Sequence, residues 1–556
     1  MLKRLFTFCL GIFMMASFSS HACTNFLITK GASKDGSTMV TYAADSHSLY
    51  GELYFWPAGD HVAGAMRDVY DWDSGKYLGQ IPQVPHTYQV VGNMNEHQLA
   101  IGETTFGGRK ELHEQPGAII DYGSLIYITL QRAKTAREAI KTMDDLMNKY
   151  GYYSSGESFS IADGNEVWIM EVIGKGEGEK GAVWVARKVP EGYVSGHANQ
   201  ARITTFPLND PDNCLYSKDV ISFAREKGFF KGKNKDFSFS DVYAPVDFGA
   251  ARFCDARVWS AFNRINPDMK KYENYALGKV KYNKNGVATN RFPLWVKPSK
   301  KLSVKDVMDL MRDHYEGTAL DMTKDVGAGP YKLPYRWRGL TWEVDSVQYC
   351  NERATSTQQT AFSFVAQARA DMPAAIGGVF WFGMDDTYST CYTPIYCNIE
   401  EIPECFKVGN GDLLTWSSTS AFWVFNSVTN FCYSRYSDMI VDLQKVQNKI
   451  ELEALAMAPA VESAAKSLWD AGNKELAKKY LSDYSSMRAE KMTEDWRELG
   501  HYLMIKYLDG NVKKEKNGKF LRTKDGMPAS PNHPGYSKDF YRRVVKETGD
   551  HFKVIK

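Results

Sequence analysis

Cys23-Thr24-Asn25-Phe26-Leu27-Ile28, then Ser33-Lys34-Asp35-Gly36, then Thr38-Met39-Val40-Thr41-Tyr42 reads as a β-hairpin. The apolar and β-branched residues of its two runs suit a pleated surface, and the Asp-Gly step reverses the chain between them. What precedes it gives its first residue a special place. Met1-Leu2-Lys3-Arg4 is followed by an apolar run over 5–18 and then by Ser19-Ser20-His21-Ala22. A basic start, a short apolar run and a small-x-small ending describe a secretory signal peptide. The run is well short of the roughly 20 residues of a bilayer-spanning helix. Cleavage after Ala22 would leave Cys23 as the first residue of an exported, soluble protein (periplasmic or secreted).

Working outward, more extended segments follow. Tyr88-Gln89-Val90-Val91 leads through a turn at Asn93-Met94-Asn95-Glu96 into Leu99-Ala100-Ile101-Gly102-Glu103. Over 124–149 the apolar positions fall near a period of 3.6, which predicts one helix. Strands return at 158–162, 167–172, 181–186 and 192–196. A helix is predicted over 304–315 and a buried strand over 376–382. The Ala-, Leu-, Glu- and Lys-rich stretch 434–508 has helical spacing, and the Lys-, Gly- and Pro-rich tail from Gly510 is expected to wrap the surface. Hairpins, a helical layer and more hairpins predict an α+β fold, with helices outside two stacked antiparallel sheets. The expected organisation is a signal peptide at 1–22, one catalytic domain at 23–433 and a helical C-terminal region with a polar tail at 434–556, packed on the core.

An N-terminal cysteine combines a thiol and a free amine in one residue. With ordinary pKa values of about 8.5 and 7.7–8.0, the amine can take the thiol's proton near neutral pH, giving nucleophile and base together. Two other roles for Cys23 stand beside this one. A lipid anchor would want an aliphatic residue three positions earlier, where Ser20 stands; a structural or disulfide cysteine needs nothing further. Eight cysteines remain after residue 22, with Cys391, Cys397 and Cys405 close enough in sequence to be disulfide candidates.

The sequence after Cys23 resembles the C69 family of dipeptidases, which are N-terminal-nucleophile (Ntn) hydrolases distantly similar to bile salt hydrolases and penicillin V acylases. The similarity rests on five ordered blocks: Cys23-Thr24 with Ala32 to Thr38 and Asp45-Ser46, Asn93 to Glu103, Gly192 to Ile203, Gly329-Pro330-Tyr331, and Pro373 to Phe382. It implies an αββα sandwich that hydrolyses amide bonds of short peptides through a thioester on Cys23, with no metal or organic cofactor. Residue by residue, it implies Asp45 near the amine and thiol, Asn199 as a side-chain donor to the oxyanion, and Arg252 as the cation beside the nucleophile, with Arg257 close enough to take that place. A neutral amide NH₂ suits a developing O⁻, and a guanidinium would depress the thiol's pKa. This chain departs from the resemblance at two positions. Tyr42 stands where many relatives place an arginine, and Thr105 where the acylase branch has an asparagine or tyrosine. An acylase of bile-salt or N-acyl-amide type is the alternative enzyme, and a lipoprotein or binding module anchored at Cys23 the alternative of another class.

The remaining signals exclude more than they add. Net charge is +2 at pH 7, so no basic field points to nucleic acid or an anionic membrane. Gly174-Lys175-Gly176-Glu177-Gly178 lies between predicted strands rather than at a helix start, which makes it a loop and not a phosphate cradle. The cysteines lack zinc-site spacing. Short peptides are the expected partners, with no membrane in the mature form and a homo-oligomer left open.

Overall fold

The computed structural model describes residues 23–113, 115–337 and 339–555; the signal-peptide reading of 1–22 lies outside them. Among the described residues two antiparallel sheets form the centre. The strands are β1 (Asn25–Ile28), β2 (Thr38–Asp45), β3 (Phe55–Trp56), β4 (Val90–Val91), β5 (Met94–Asn95), β6 (Ala100–Gly107), β7 (Gly156–Ala162), β8 (Val167–Gly174), β9 (Ala182–Lys188), β10 (Val194–His197), β11 (Cys214–Tyr216), β12 (Trp295–Val296), β13 (Thr360–Ala368), β14 (Val379–Met384) and β15 (Thr393–Tyr396). The first sheet has the order β12-β10-β1-β2-β13-β14-β15, and the second β11-β9-β8-β7-β6-β5-β4-β3. They pack face to face, β1 and β2 lying against β6, β7 and β8.

Each sheet carries helices on its other face. α1 (Tyr122–Leu130) and α2 (Ala136–Tyr150) cover the second sheet; α3 (Ala256–Ile265) follows it in the chain. α4 (Val304–Leu310), α5 (Ala421–Tyr433), α6 (Tyr436–Asp470) and α7 (Lys474–Tyr507) pack on β13, β14 and β15 of the first. Covered on both sides, β1, β2, β7 and β8 are buried along their whole length. The long α6 and α7 share the core of the first sheet, into which they send Leu443, Ala454, Leu481 and Trp496. α8 (Lys538–Thr548), which the sequence reading did not anticipate in the tail, buries no side chain.

The hairpin at Cys23 forms as expected, but β2 runs on to Asp45 rather than ending at Tyr42. The single helix expected over 124–149 is two. Thr135 accepts a hydrogen bond from the Glu138 N–H and so starts a new helix. The Asn95 amide donates to the Leu130 and Ala133 carbonyls at 2.8 Å each, closing the first. The helix expected over 304–315 ends at Leu310. Over 376–382, a helical turn at Ala374–Gly377 comes first and the strand starts at Val379. A Cβ on Gly378 would lie 2.5 Å from Cys397 Sγ, so that crossing requires glycine. All described cysteines are free: Cys397 faces the Ala374 carbonyl and Cys391 the Gln447 carbonyl.

Candidate active site

Cys23 sits where three segments meet at the end of the first sheet. β1 pairs with β10 through Asn25 and His197, and Thr24 bridges Ala43 of β2. The antiparallel registers therefore bring residue 23 between the end of β2, at Asp45, and the residues that follow β10, at Ala198 and Asn199. Cys23, Asp45 and Asn199 are all buried, at 5%, 1% and 8% exposed. Asn199 has φ 60°, a left-handed backbone that asparagine tolerates better than most residues.

Asn199 meets Cys23 through its other end. Its Oδ1 accepts from the Cys23 nitrogen at 3.1 Å and from Arg257 Nη2 at 2.8 Å. One N–H of its amide donates to the Thr105 carbonyl at 2.7 Å. An amide NH₂ carries two donors, so the oxyanion role expected of Asn199 would fall to the other N–H, while its carbonyl holds the Cys23 nitrogen.

The cation in hydrogen-bond contact with residue 23 is Arg257, not Arg252. Arg257, fully buried on α3, donates to the Cys23 carbonyl (2.6 Å), Thr24 Oγ1 (2.8 Å) and the Ala198 carbonyl (3.1 Å). Arg252 lies in the π-helical turn Ala250–Asp255 that precedes α3, and pairs with Glu352 and the Leu277 carbonyl. The wide π turn changes the register between the two arginines, which spacing alone does not reveal. Arg353, absent from the sequence reading, adds a second positive charge that acts on Asp45.

Burial sets the protonation of the site. The Cys23 thiol is pushed well above its ordinary range by desolvation and then by the charges of Glu103 and Asp45; the Asp45 backbone and Tyr42 hydrogen bonds pull it back. Asp45 accepts from Thr360 Oγ1 at 2.6 Å. Burial raises its carboxyl to about 8, against the Thr360 hydrogen bond and the charges of Arg257 and Arg353. His197 is held by Thr104 and Ser160, both at 2.8 Å, and burial lowers it to about 3, so it is a neutral cross-sheet tie.

On the far side of the thiol lies a chain of groups outside the residues expected. Cys23 Sγ is 3.6 Å from Tyr42 Oη, which donates to Glu103 Oε1 at 2.7 Å. Glu103 neighbours Glu157, each carboxyl acting on the other's protonation, and Thr105 Oγ1 donates to Glu157 at 2.8 Å. Glu103 ends the block Asn93 to Glu103, so its position was visible in the sequence. Its burial, and its pairing with a residue 54 positions on, were not.

Titratable groups sunk this densely around one thiol make this the candidate active site on a mixed α+β scaffold. Comparison with known proteins agrees and narrows the class. The model of peptidase family C69 matches residues 56–449, and the chain belongs to that family. It is similar to a probable dipeptidase of Latilactobacillus sakei, 24% identical over 85% of this chain and 95% of that protein. A probable dipeptidase of Salmonella dublin is 24% identical over 67% and 81%. A probable dipeptidase A of Streptococcus pyogenes serotype M3 is 24% identical over 80% and 90%.

Proposed function

We propose that this chain is an exported dipeptidase of the Ntn-hydrolase αββα type, with Cys23 as its N-terminal nucleophile once residues 1–22 are removed. The observation that carries this reading is the clamp on the main chain of residue 23. Asn199 takes its nitrogen and Arg257 its carbonyl, and the two clamping groups bond each other. A cysteine with only a packing role needs neither. A first residue whose amine must lie beside its own thiol needs both. The buried thiol is not an ionised nucleophile at rest, so a nearby base must take its proton as it attacks.

In this reading the freed α-amine accepts the Sγ proton as sulfur bonds to the carbonyl carbon of a short peptide. The carbonyl π electrons move onto oxygen, and the free Asn199 N–H is a donor within the site for that charge. Collapse breaks the C–N bond, the leaving amine takes the proton, and water hydrolyses the thioester. The names of the relatives support peptides as substrates. Among the described residues no helix is long and apolar enough to cross a membrane.

The test has two arms. Mass spectrometry of the mature protein is expected to find an unmodified Cys23 as first residue; a diacylglyceryl thioether would place the chain among lipoproteins. Cys23→Ala is expected to abolish dipeptide hydrolysis while export and folding persist, and retained turnover would refute the nucleophile. Assays on dipeptides, conjugated bile salts and penicillin V separate a dipeptidase from an acylase.

A further inference from the structure

The reaction as written leaves unused the chain of groups that runs from the thiol into the second sheet. Tyr42 Oη donates its own hydrogen to Glu103 Oε1, so what it turns toward the thiol, 3.6 Å away, is a lone pair that can accept the S–H proton. Glu103 is fixed on both sides. Oriented to satisfy both of its ends, the Asn25 amide donates to the Glu103 carbonyl (3.1 Å) and accepts from the Glu103 N–H (3.0 Å), tying β1 to β6 at that point. Glu103 Oε2 and Glu157 Oε2 are buried with no N–H or hydroxyl donor. Two neighbouring carboxyl groups in such a place hold one proton between them, because both cannot ionise. A pair holding one proton can accept a second.

We propose that Tyr42 is a catalytic residue and that Glu103, paired with Glu157, is the proton acceptor behind it, so that the thiol has a base besides its own amine. This rests on the reading of Cys23 as nucleophile. The S–H proton passes to Tyr42 Oη as the Tyr42 proton passes to Glu103 Oε1. The pair goes from one negative charge to none and the sulfur from none to one, and Tyr42 O–H is left donating to the thiolate. Sulfur then bonds to the carbonyl carbon. When the C–N bond breaks, the nitrogen keeps the electron pair and the proton returns from Glu103 through Tyr42. The water that hydrolyses the thioester gives its proton to the pair, and sulfur recovers it.

The physical gain lies in the pH range. An α-amine of ordinary pKa 7.7–8.0 is mostly ammonium below that range and cannot act as base. Glu103 is raised above the usual carboxylate range, first by burial, so it is matched to work near neutrality. The groups facing the pair are Tyr42 and the Cys23 thiol from the first sheet, Tyr122 and Tyr127 from α1, Tyr152 ahead of β7, and Asp73 from the turn between the strands Met66–Tyr70 and Tyr77–Pro82. All of these are neutral or acidic, and like charge reinforces the upward shift.

The experiment compares mature wild type, Tyr42→Phe, Glu103→Gln and Cys23→Ala. It reads kcat/KM on a dipeptide from pH 5.5 to 9.5, together with the rate at which iodoacetamide alkylates the Cys23 peptide. Tyr42→Phe and Glu103→Gln are expected to lose about 10²-fold in kcat/KM at pH 6.5. Their acid limb should move up toward the amine's own range, in both turnover and alkylation, and the loss should narrow at pH 9.5. An acid limb unmoved in folded variants overturns the relay. If Tyr42→Phe does not fold, the near-isosteric Glu103→Gln carries the test. Turnover by Cys23→Ala would instead sink the nucleophile itself, whatever the other two variants do.

Discussion

Arg257 shows at the residue scale how a site depends on geometry that spacing does not give. Two arginines five residues apart were candidates for one role. The sequence had no means of choosing, because the choice is made by the π-helical turn that holds Arg252 and leads into the helix of Arg257. Arg257 reaches two backbone carbonyls, a hydroxyl and an amide oxygen around residue 23, a spread that a planar five-donor fork can cover and a single ammonium cannot. Arg257→Lys is therefore expected to keep the charge and still lose about 10²-fold in kcat/KM, since a shift of about 1 Å in a reacting group has that effect. Arg252→Gln, which breaks the pair with Glu352 and the hydrogen bond to the Leu277 carbonyl, is expected to stay within a factor of a few. Steady-state kinetics on a dipeptide checks both, and the reverse ranking would restore Arg252 to the site. Asn199 teaches the same lesson. Its place was legible from its sequence block, but which end of the amide faces Cys23 depends on Thr105 and Arg257, far away in the chain.

At the scale of elements, the hairpin at Cys23 was legible because its turn residues and apolar runs are local signals. The breaks were less so. Asn95 closes α1 from a different part of the chain, and no periodicity within 124–149 records it. Strands buried on both faces show no alternation, so their ends are set by packing rather than by pattern. The approach of β1 to β6 is the contact the site most depends on, and Gly102 permits it. A Cβ there would stand 2.7 Å from the Asn25 amide and 3.4 Å from the Thr41 carbonyl. Gly102→Ala is expected to destabilise the protein by about 1–3 kcal/mol, as overpacking does. It should also weaken catalysis, because Asn25 would be pushed off the Glu103 backbone. Urea unfolding and kcat/KM measured side by side test this. An unchanged midpoint would mean that the sheets are not in the close contact described.

For the whole molecule, the class of fold and the helical C-terminal stretch were legible in composition and period, and its packing on the core was expected, while the residues through which α6 and α7 join the core of the first sheet were not. A consequence of so large a core is that several acids lie inside it. Burial raises Asp45 to about 8, and Glu171 and Asp385 to about 7. Such a group keeps its proton in the folded state and loses it near its ordinary value when unfolded. Its contribution to stability is complete below the unfolded value and is lost as pH rises through the folded one. His197, lowered to about 3, acts in the opposite sense, but only below its ordinary 6.5. Between pH 6.5 and 8 the acids act without that opposition, and the melting temperature is expected to fall as pH rises. Asp385 isolates the effect away from Cys23. Its Oδ1 accepts from Asn426 at 2.8 Å, its Oδ2 has no partner, and its backbone at φ 69° suits asparagine as well. Asp385→Asn should keep the Asn426 hydrogen bond, raise the melting temperature at pH 8, and make the decline of stability between pH 4 and 7 shallower by one proton's worth. Calorimetric melts across that range decide the matter: parallel slopes for the two proteins would mean that Asp385 is already ionised in the folded state.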